Sequence, residues 1–343
     1  MIRRMMHPAA TLLVILVLHA SASAQELTVV SETKIRHGDS AVAGLRQAMF
    51  TADGKTLVTA GYSAIRVWDV TGEPKERAAL KSIADLGNHG LWDVVISPDG
   101  KLIAAGGAKI LYLYEVADGG LKERAVLRDQ SGAVRALAFS PDSRLLASGS
   151  DDKTIYLYDV SGDKPAQRAS FKPDKAGSAM VSVAFGSDGK TLLFAYQGGA
   201  GNVGFADVSG KQPKITAAVT ENPLRRAAVS PDGKQLAVFL GNFDIQLYDV
   251  DGAKIQKGKS LKGHTKQGRG LAFSPDGKLL ASSAIDGKYL VWDVAGGTQL
   301  LSRQISGDIE NVAFSPAKAG PGEYRLAVTT HQREAILLSL KIK

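Results

Sequence analysis

The most suggestive chemical string in the chain is Gly199-Ala200-Gly201-Asn202-Val203-Gly204, which has the glycine spacing of a dinucleotide-binding turn. Such a turn binds pyrophosphate where a helix follows, because the helix N-terminus supplies unpaired backbone donors. Here Phe205-Ala206-Asp207-Val208 follows and reads as a strand. Asp188-Gly189-Lys190-Thr191 has the tail of a phosphate-binding loop, but Ala184 stands where the loop's first glycine belongs. No HExxH or GxSxG string occurs, and the absence of cysteine removes disulfides, thiolate zinc, iron–sulfur clusters and thiol nucleophiles together. These motifs predict no cofactor, no metal and no catalytic constellation.

Any remaining chemistry must be assembled by the fold, and the fold is written as a repeat. With 44% hydrophobic and 22% charged residues the composition is globular, and 343 residues exceed what one hydrophobic core usually serves. A turn string recurs as FTADG at Phe50–Gly54, ISPDG at Ile96–Gly100, FSPDS at Phe139–Ser143, FGSDG at Phe185–Gly189, VSPDG at Val229–Gly233 and FSPDG at Phe273–Gly277, with a degraded copy, FSPAK, at Phe314–Lys318. A second string follows each, ending at Val70, Val116, Val160, Val208, Val250, Val294 and Leu340, and its copies are spaced by 42 to 48 residues. Proline presets φ, aspartate bonds its own backbone and glycine accepts positive φ, so the first string is a tight turn. Apolar runs flank it, as in Arg135–Phe139 and Leu145–Ala147. An alternating run, Thr154–Tyr158, and a fourth, Gln167–Phe171, complete the unit. Four short strands per unit without helical periodicity predict an antiparallel meander. Such sheets cover their apolar faces by stacking around an axis.

These residues resemble the tryptophan–aspartate (WD) repeat β-propellers across essentially the whole repeat region. Gly263-His264, the SPDG turn, Ser282, Asp286 and Trp292-Asp293 form the most complete copy. The resemblance implies an all-β, seven-bladed propeller of four-stranded antiparallel blades, with the run Glu26–Ile35 adding the outer strand to blade seven beside Ile336–Leu340. It also implies that His264, Ser282, Asp286 and Trp292 form a buried bracing tetrad. Most other copies depart from it: Tyr158 replaces the tryptophan, and Ser131 lies near the expected histidine.

Two clusters follow from this placement. Asp308, Glu310 and His331 come to one end of blade seven, with His37 and Asp39 approaching from blade one. They are either solvated loop residues or a metal or acid–base site. The second is the position four residues ahead of each turn string: Arg46, Trp92, Arg135, Val181, Arg225, Arg269 and Glu310. By resemblance it lines the top mouth of the central channel, where partners dock; the alternative is a solvated ring. Four arginines and a tryptophan there make an anion-attracting rim able to stack.

Ahead of the repeats, Arg3 and Arg4 precede an uncharged apolar run, Ala9–Leu18, and the small residues Ala22-Ser23-Ala24. This is the layout of a secretory signal peptide over residues 1–24, leaving a single propeller over residues 25–343. The run falls short of the roughly 20 residues that span a bilayer. Export without cysteine implies a periplasmic or extracellular bacterial protein. The expected function is an exported, non-enzymatic, monomeric scaffold that binds a protein or peptide of acidic character through the top face. The competing expectation is an envelope propeller enzyme, a metal-assisted hydrolase or lactonase-like protein using the blade-seven carboxylates and histidines. The formal charge of +8 raises nucleic acid as a partner, but export and the lack of a dense basic run argue against it.

Overall fold

The computed structural model describes residues 26–342 except 37–43, 82, 84–89, 118–119, 174–176, 198–201, 222, 252–253 and 318–319. The proposed signal peptide, His37, Asp39, His89 and two of the fingerprint glycines, Gly199 and Gly201, lie outside the described residues. Among them every element is a strand, arranged as seven four-stranded antiparallel sheets. No helix of the described residues is long and apolar enough to cross a membrane.

The innermost strands of blades one to seven are Leu45–Phe50, Asp93–Ile96, Val134–Phe139, Ala179–Phe185, Leu224–Val229, Gly268–Phe273 and Ile309–Phe314. Each contacts its neighbour, and the seventh contacts both the sixth and the first, so the ring is closed. Side chains alternate across each strand. One set, including Leu45, Leu57 and Ile65, is fully buried between sheets, and each such residue contributes about 1.5–3 kcal/mol by leaving water.

Closure is non-local. The first strand, Leu27–Arg36, pairs antiparallel with the last, Glu334–Ile342, which completes blade seven around Glu323–Thr330. The expected N-terminal closure is therefore present, the first strand lying one residue later than the expected Glu26–Ile35 and the last extending two residues beyond Ile336–Leu340 at each end. Below it Arg325 crosses the seam, donating from Nη1 to Gly54 O at 3.0 Å and from Nη2 to Val70 O at 2.6 Å in blade one.

The turn string works as its chemistry predicts. Ser140 Oγ donates to Asp142 Oδ1 at 2.6 Å and accepts from Leu145 N at 2.9 Å, and Ser97, Ser230 and Ser274 repeat the motif. Gly100, Gly233 and Gly277 hold φ near +70° there. Ser143 takes the same conformation in blade three and accepts Asp99 N from blade two, tying adjacent turns.

A second regularity positions the site. In six blades the innermost strand carries a β-bulge near its start, between Leu45 and Gln47, Val134 and Ala136, Met180 and Ser182, Leu224 and Arg226, Gly268 and Gly270, and Ile309 and Asn311. A bulge leaves one residue unpaired and re-aims its side chain. The unpaired residues are Arg46, Arg135, Val181, Arg225, Arg269 and Glu310. In blade two Trp92 immediately precedes the strand.

Candidate functional site at the channel mouth

All seven of these residues line one cavity of about 490 Å³ at the end of the central channel. Six bulge positions and Trp92, their counterpart just ahead of the blade-two strand, thus converge, as rotational repetition requires. Tyr62, Arg226 and His331 join them.

The mouth divides into two sectors of different electrostatic state. In blades one to three the arginines are engaged. Arg46 Nη1 donates to Leu91 O at 2.8 Å, and its guanidinium lies 4.7 Å from the Tyr62 ring centroid and 5.1 Å from that of Trp92. Arg135 lies over the same Trp92 ring at 3.6 Å and donates from Nε to Asp151 Oδ2 at 2.7 Å. Asp151 in turn accepts Met180 N at 3.3 Å, so the ion pair also ties blade three to blade four. Burial lowers the Arg46 pKa from its ordinary value, Tyr62 and Glu310 oppose that shift, and Arg269 and Arg135 add to it across the mouth.

In blades five and six the donors are open. Arg225 makes no hydrogen bond or ion pair among the described residues, and its Nε is buried without a partner. Arg269 Nε has only an ion-pair contact, 3.8 Å to Glu310 Oε2, and no hydrogen bond. Glu310 also faces His331, at 3.5 Å from Nδ1.

Beneath the rim lies a second tier, one residue further along each strand. Arg226 donates from Nε to Arg269 O at 2.7 Å and from Nη1 to Val181 O at 3.2 Å. Asp93 accepts from Gln47 Nε2 at 2.6 Å and from Leu137 N at 2.7 Å. Burial pushes the Asp93 carboxyl up to about 6 against the field of Arg226 and the backbone donors of Leu137 and Val94. Burial lowers the Arg226 pKa, with Asp93 opposing and Arg269 reinforcing that shift. The sequence reading missed Tyr62, Asp151 and this tier; reading one position beyond each rim residue would have found Gln47, Asp93 and Arg226.

The tetrad residues lie far from this mouth's chemistry, inside blade six. His264 Nδ1 sits 3.0 Å from Asp286 Oδ2, His264 Nε2 sits 2.8 Å from Ser282 Oγ, and Trp292 Nε1 donates to Ser282 Oγ at 2.9 Å. Trp292 and Ser282 are buried. In blade three Gln130, not Ser131, takes the histidine's place, donating to Ser148 Oγ at 2.6 Å. Its spacing of 18 residues to the serine equals that of His264 to Ser282.

At the blade-seven end the structure brings Glu310 to His331, while Asp308 meets His331 through its backbone carbonyl, which accepts His331 N at 3.0 Å. No group of three metal-binding side chains occurs among the described residues. Gly204 of the fingerprint lies inside a strand, Val203–Asp207.

The family model of the WD domain, G-beta repeat, matches residues 80–115, 121–159 and 255–293. Similar curated proteins include the Serine-threonine kinase receptor-associated protein of Rattus norvegicus, 25% identical over 71% of this chain and 64% of that protein. A WD repeat-containing protein WDS homolog of Arabidopsis thaliana is 26% identical over 71% of this chain and 46% of its own length. A Target of rapamycin complex subunit of Schizosaccharomyces pombe is 38% identical over 22% of this chain and 23% of its own. The matches thus span 64% or less of the length of these relatives. The relatives are eukaryotic proteins, and their names place them with a kinase receptor and a rapamycin-target complex. That likeness points to a protein that is not exported and overturns the periplasmic or extracellular placement inferred from the apolar N-terminal run. Seven closed four-stranded blades, the repeated turn and WD strings, and these matches together support a WD-repeat family for this seven-bladed β-propeller.

Proposed function

We propose that the protein is a non-enzymatic scaffold that docks a protein partner of acidic character on the top face of its propeller. The observation that carries this reading is the convergence of Arg46, Trp92, Arg135, Arg225, Arg269 and Glu310 on one cavity, the four arginines and Glu310 presented at strand bulges and Trp92 just ahead of its strand. Equivalent rim positions in a rigid ring give a partner fixed donors without ordering cost. Arginine forks suit carboxylates, and the aromatic pair Tyr62 and Trp92 adds stacking area. Likeness to a family whose propellers generally bind proteins supports the same reading. The enzyme alternative finds less support, since Glu310 is tied to both His331 and Arg269. The protein works as one unit, residues 25–343, and as a monomer.

The test is affinity capture with wild type and an Arg135→Glu/Arg269→Glu double variant. The double variant should keep the wild-type circular dichroism, melt somewhat lower because the Arg135–Asp151 pair is lost, and lose the captured partner; capture should weaken with salt because exposed charges are screened over about 8 Å at physiological ionic strength. Equal recovery of the same partner by both proteins at low and high salt would move the docking surface away from the mouth.

A further inference from the structure

The two sectors of the mouth are not equivalent, and the difference locates a specific subsite. Resting on the docking reading above, we propose that the blade-five and blade-six side of the mouth is a carboxylate-binding site, in which Arg225 and Arg269 clamp one acidic side chain of the protein partner above Arg226. The Trp92 side is a preassembled wall and not part of this clamp.

Four observations carry the assignment. First, Arg225 and Arg269 occupy the bulge positions of adjacent blades and line the same cavity, so both guanidinium groups are delivered to it by backbone geometry. Second, their Nε atoms are buried without hydrogen bonds. Neither guanidinium is therefore held through Nε, and each can turn its fork to a carboxylate without breaking an internal hydrogen bond from that atom. Third, Arg226 lines the same cavity one residue along the strand, with Nε and Nη1 committed to backbone carbonyls of the neighbouring blades. Its charge is placed there by the fold, with Asp93 as the acid that opposes it. Fourth, the local charges do not cancel. Asp151 answers Arg135, and Glu310 lies nearest Arg269 and His331, but Arg225 has no acidic partner among the described residues.

The opposite sector lacks this deficit. Arg46 is held by Leu91 O and stacked near Tyr62 and Trp92, and Arg135 is held by Asp151 and the Trp92 ring. Drawing either onto a ligand would break contacts already made. Val181 separates the sectors on blade four and offers no donor. An incoming acidic side chain therefore gains most beside Arg225, whose guanidinium has no ion pair among the described residues to give up.

The proposal is tested with a fluorescein-labelled tetraglutamate peptide by fluorescence anisotropy at low salt. An Arg225→Gln/Arg269→Gln protein should bind it about tenfold or more weakly than wild type, as loss of a charge-assisted fork requires. An Arg46→Gln/Arg135→Gln protein removes the same formal charge and should lose less than about threefold, because it changes the field across the mouth but removes no donor of the clamp. An Arg225→Lys/Arg269→Lys protein, which keeps the charge and the fold, should fall between wild type and the glutamine pair. Equal losses in the two glutamine pairs would overturn the clamp and leave docking by a diffuse basic face standing. No binding by wild type would overturn the carboxylate site outright; the capture experiment with Arg135 and Arg269 reversed would still decide the docking face independently.

Discussion

Blades six and four solve one structural problem with opposite chemistry. In blade six the third strand presents Trp292 opposite Leu280, and Ser282 lies two residues on. The tryptophan is large, the serine is small, and His264 and Asp286 complete a hydrogen-bonded brace to the loops, where Asp286 also accepts Thr265 N and Lys288 N. In blade four the register is the same, with Ala206 opposite Leu192 and Phe194 at the serine's place. The sizes are exchanged: the small residue stands where the tryptophan was and the large one where the serine was. Phe194 packs edge-on to Phe171 at 6.3 Å, and Tyr196 reaches out to donate to Lys153 O of blade three at 3.0 Å. The comparison shows that a blade needs this volume filled but does not need it filled by a polar network. That agrees with cores tolerating substitution when total volume is kept.

The largest effect that sharpens the contrast is removal of the brace itself. Trp292→Ala deletes a buried indole and the bond to Ser282 Oγ, and should cost about 3–5 kcal/mol in denaturant unfolding. A melting curve unchanged from wild type would show that the tetrad carries no load and that blade six is held, like blade four, by its apolar contacts alone.

The second effect tests the exchange of sizes. Gly204 pairs with Phe194, and Leu290 stands at the same place in blade six, paired with Ser282. A Cβ on Gly204 would lie 2.8 Å from Phe194 Cζ and 2.5 Å from Ala217 O. Gly204→Ala should therefore destabilise by about 1–3 kcal/mol, the usual cost of overpacking. Full stability in that variant would mean that Phe194 is loosely seated and that blade four does not depend on complementary volumes.

These same residues show how far the sequence could be read. The seven-fold repeat and the strand order were legible because turn chemistry and alternation are local and recur, whereas the closing N-terminal strand, a non-local pairing, was implied only by the family resemblance. Gly204 was legible only as part of a false fingerprint, since its reason is Phe194, ten residues away and across a strand pair. Gln130 was missed as the histidine's substitute because it shares no chemistry with histidine beyond a side-chain donor to Ser148. The rim was found by counting back from the turn string, and its residues were placed on one cavity. Its division into engaged and open arginines was not legible, because Asp151 and Tyr62 come from loops whose reach depends on packing. Location was read from the N-terminal run alone, and the eukaryotic relatives point elsewhere.

The smallest effect separates polar from apolar bracing by its dependence on pH. Burial lowers the His264 pKa below its ordinary 6.5, with Asp286 opposing that shift. The unfolded chain therefore takes up a proton at this residue at a pH where the folded chain does not. The neutral-histidine contribution is fully present above the unfolded value and is lost as pH falls below it through the folded value. Burial pushes the Asp286 carboxyl up, but hydrogen bonds from Thr265, Lys288 and His264 win and hold it below the usual carboxylate range. Its own contribution is thus lost only at lower pH. Blade four has no titrating group at the equivalent strand positions, Phe194 and Ala206, and should add nothing to this slope. His264→Gln copies the residue that blade three already uses, keeps a donor for Ser282 Oγ and removes the titration. At pH 8 it should change stability by about 1 kcal/mol or less. Between pH 7 and 5 it should lose less stability than wild type, measured by urea unfolding at each pH. Parallel pH profiles for the two proteins would show that His264 takes up its proton equally in the folded and unfolded states, and would remove the electrostatic distinction between the two blades.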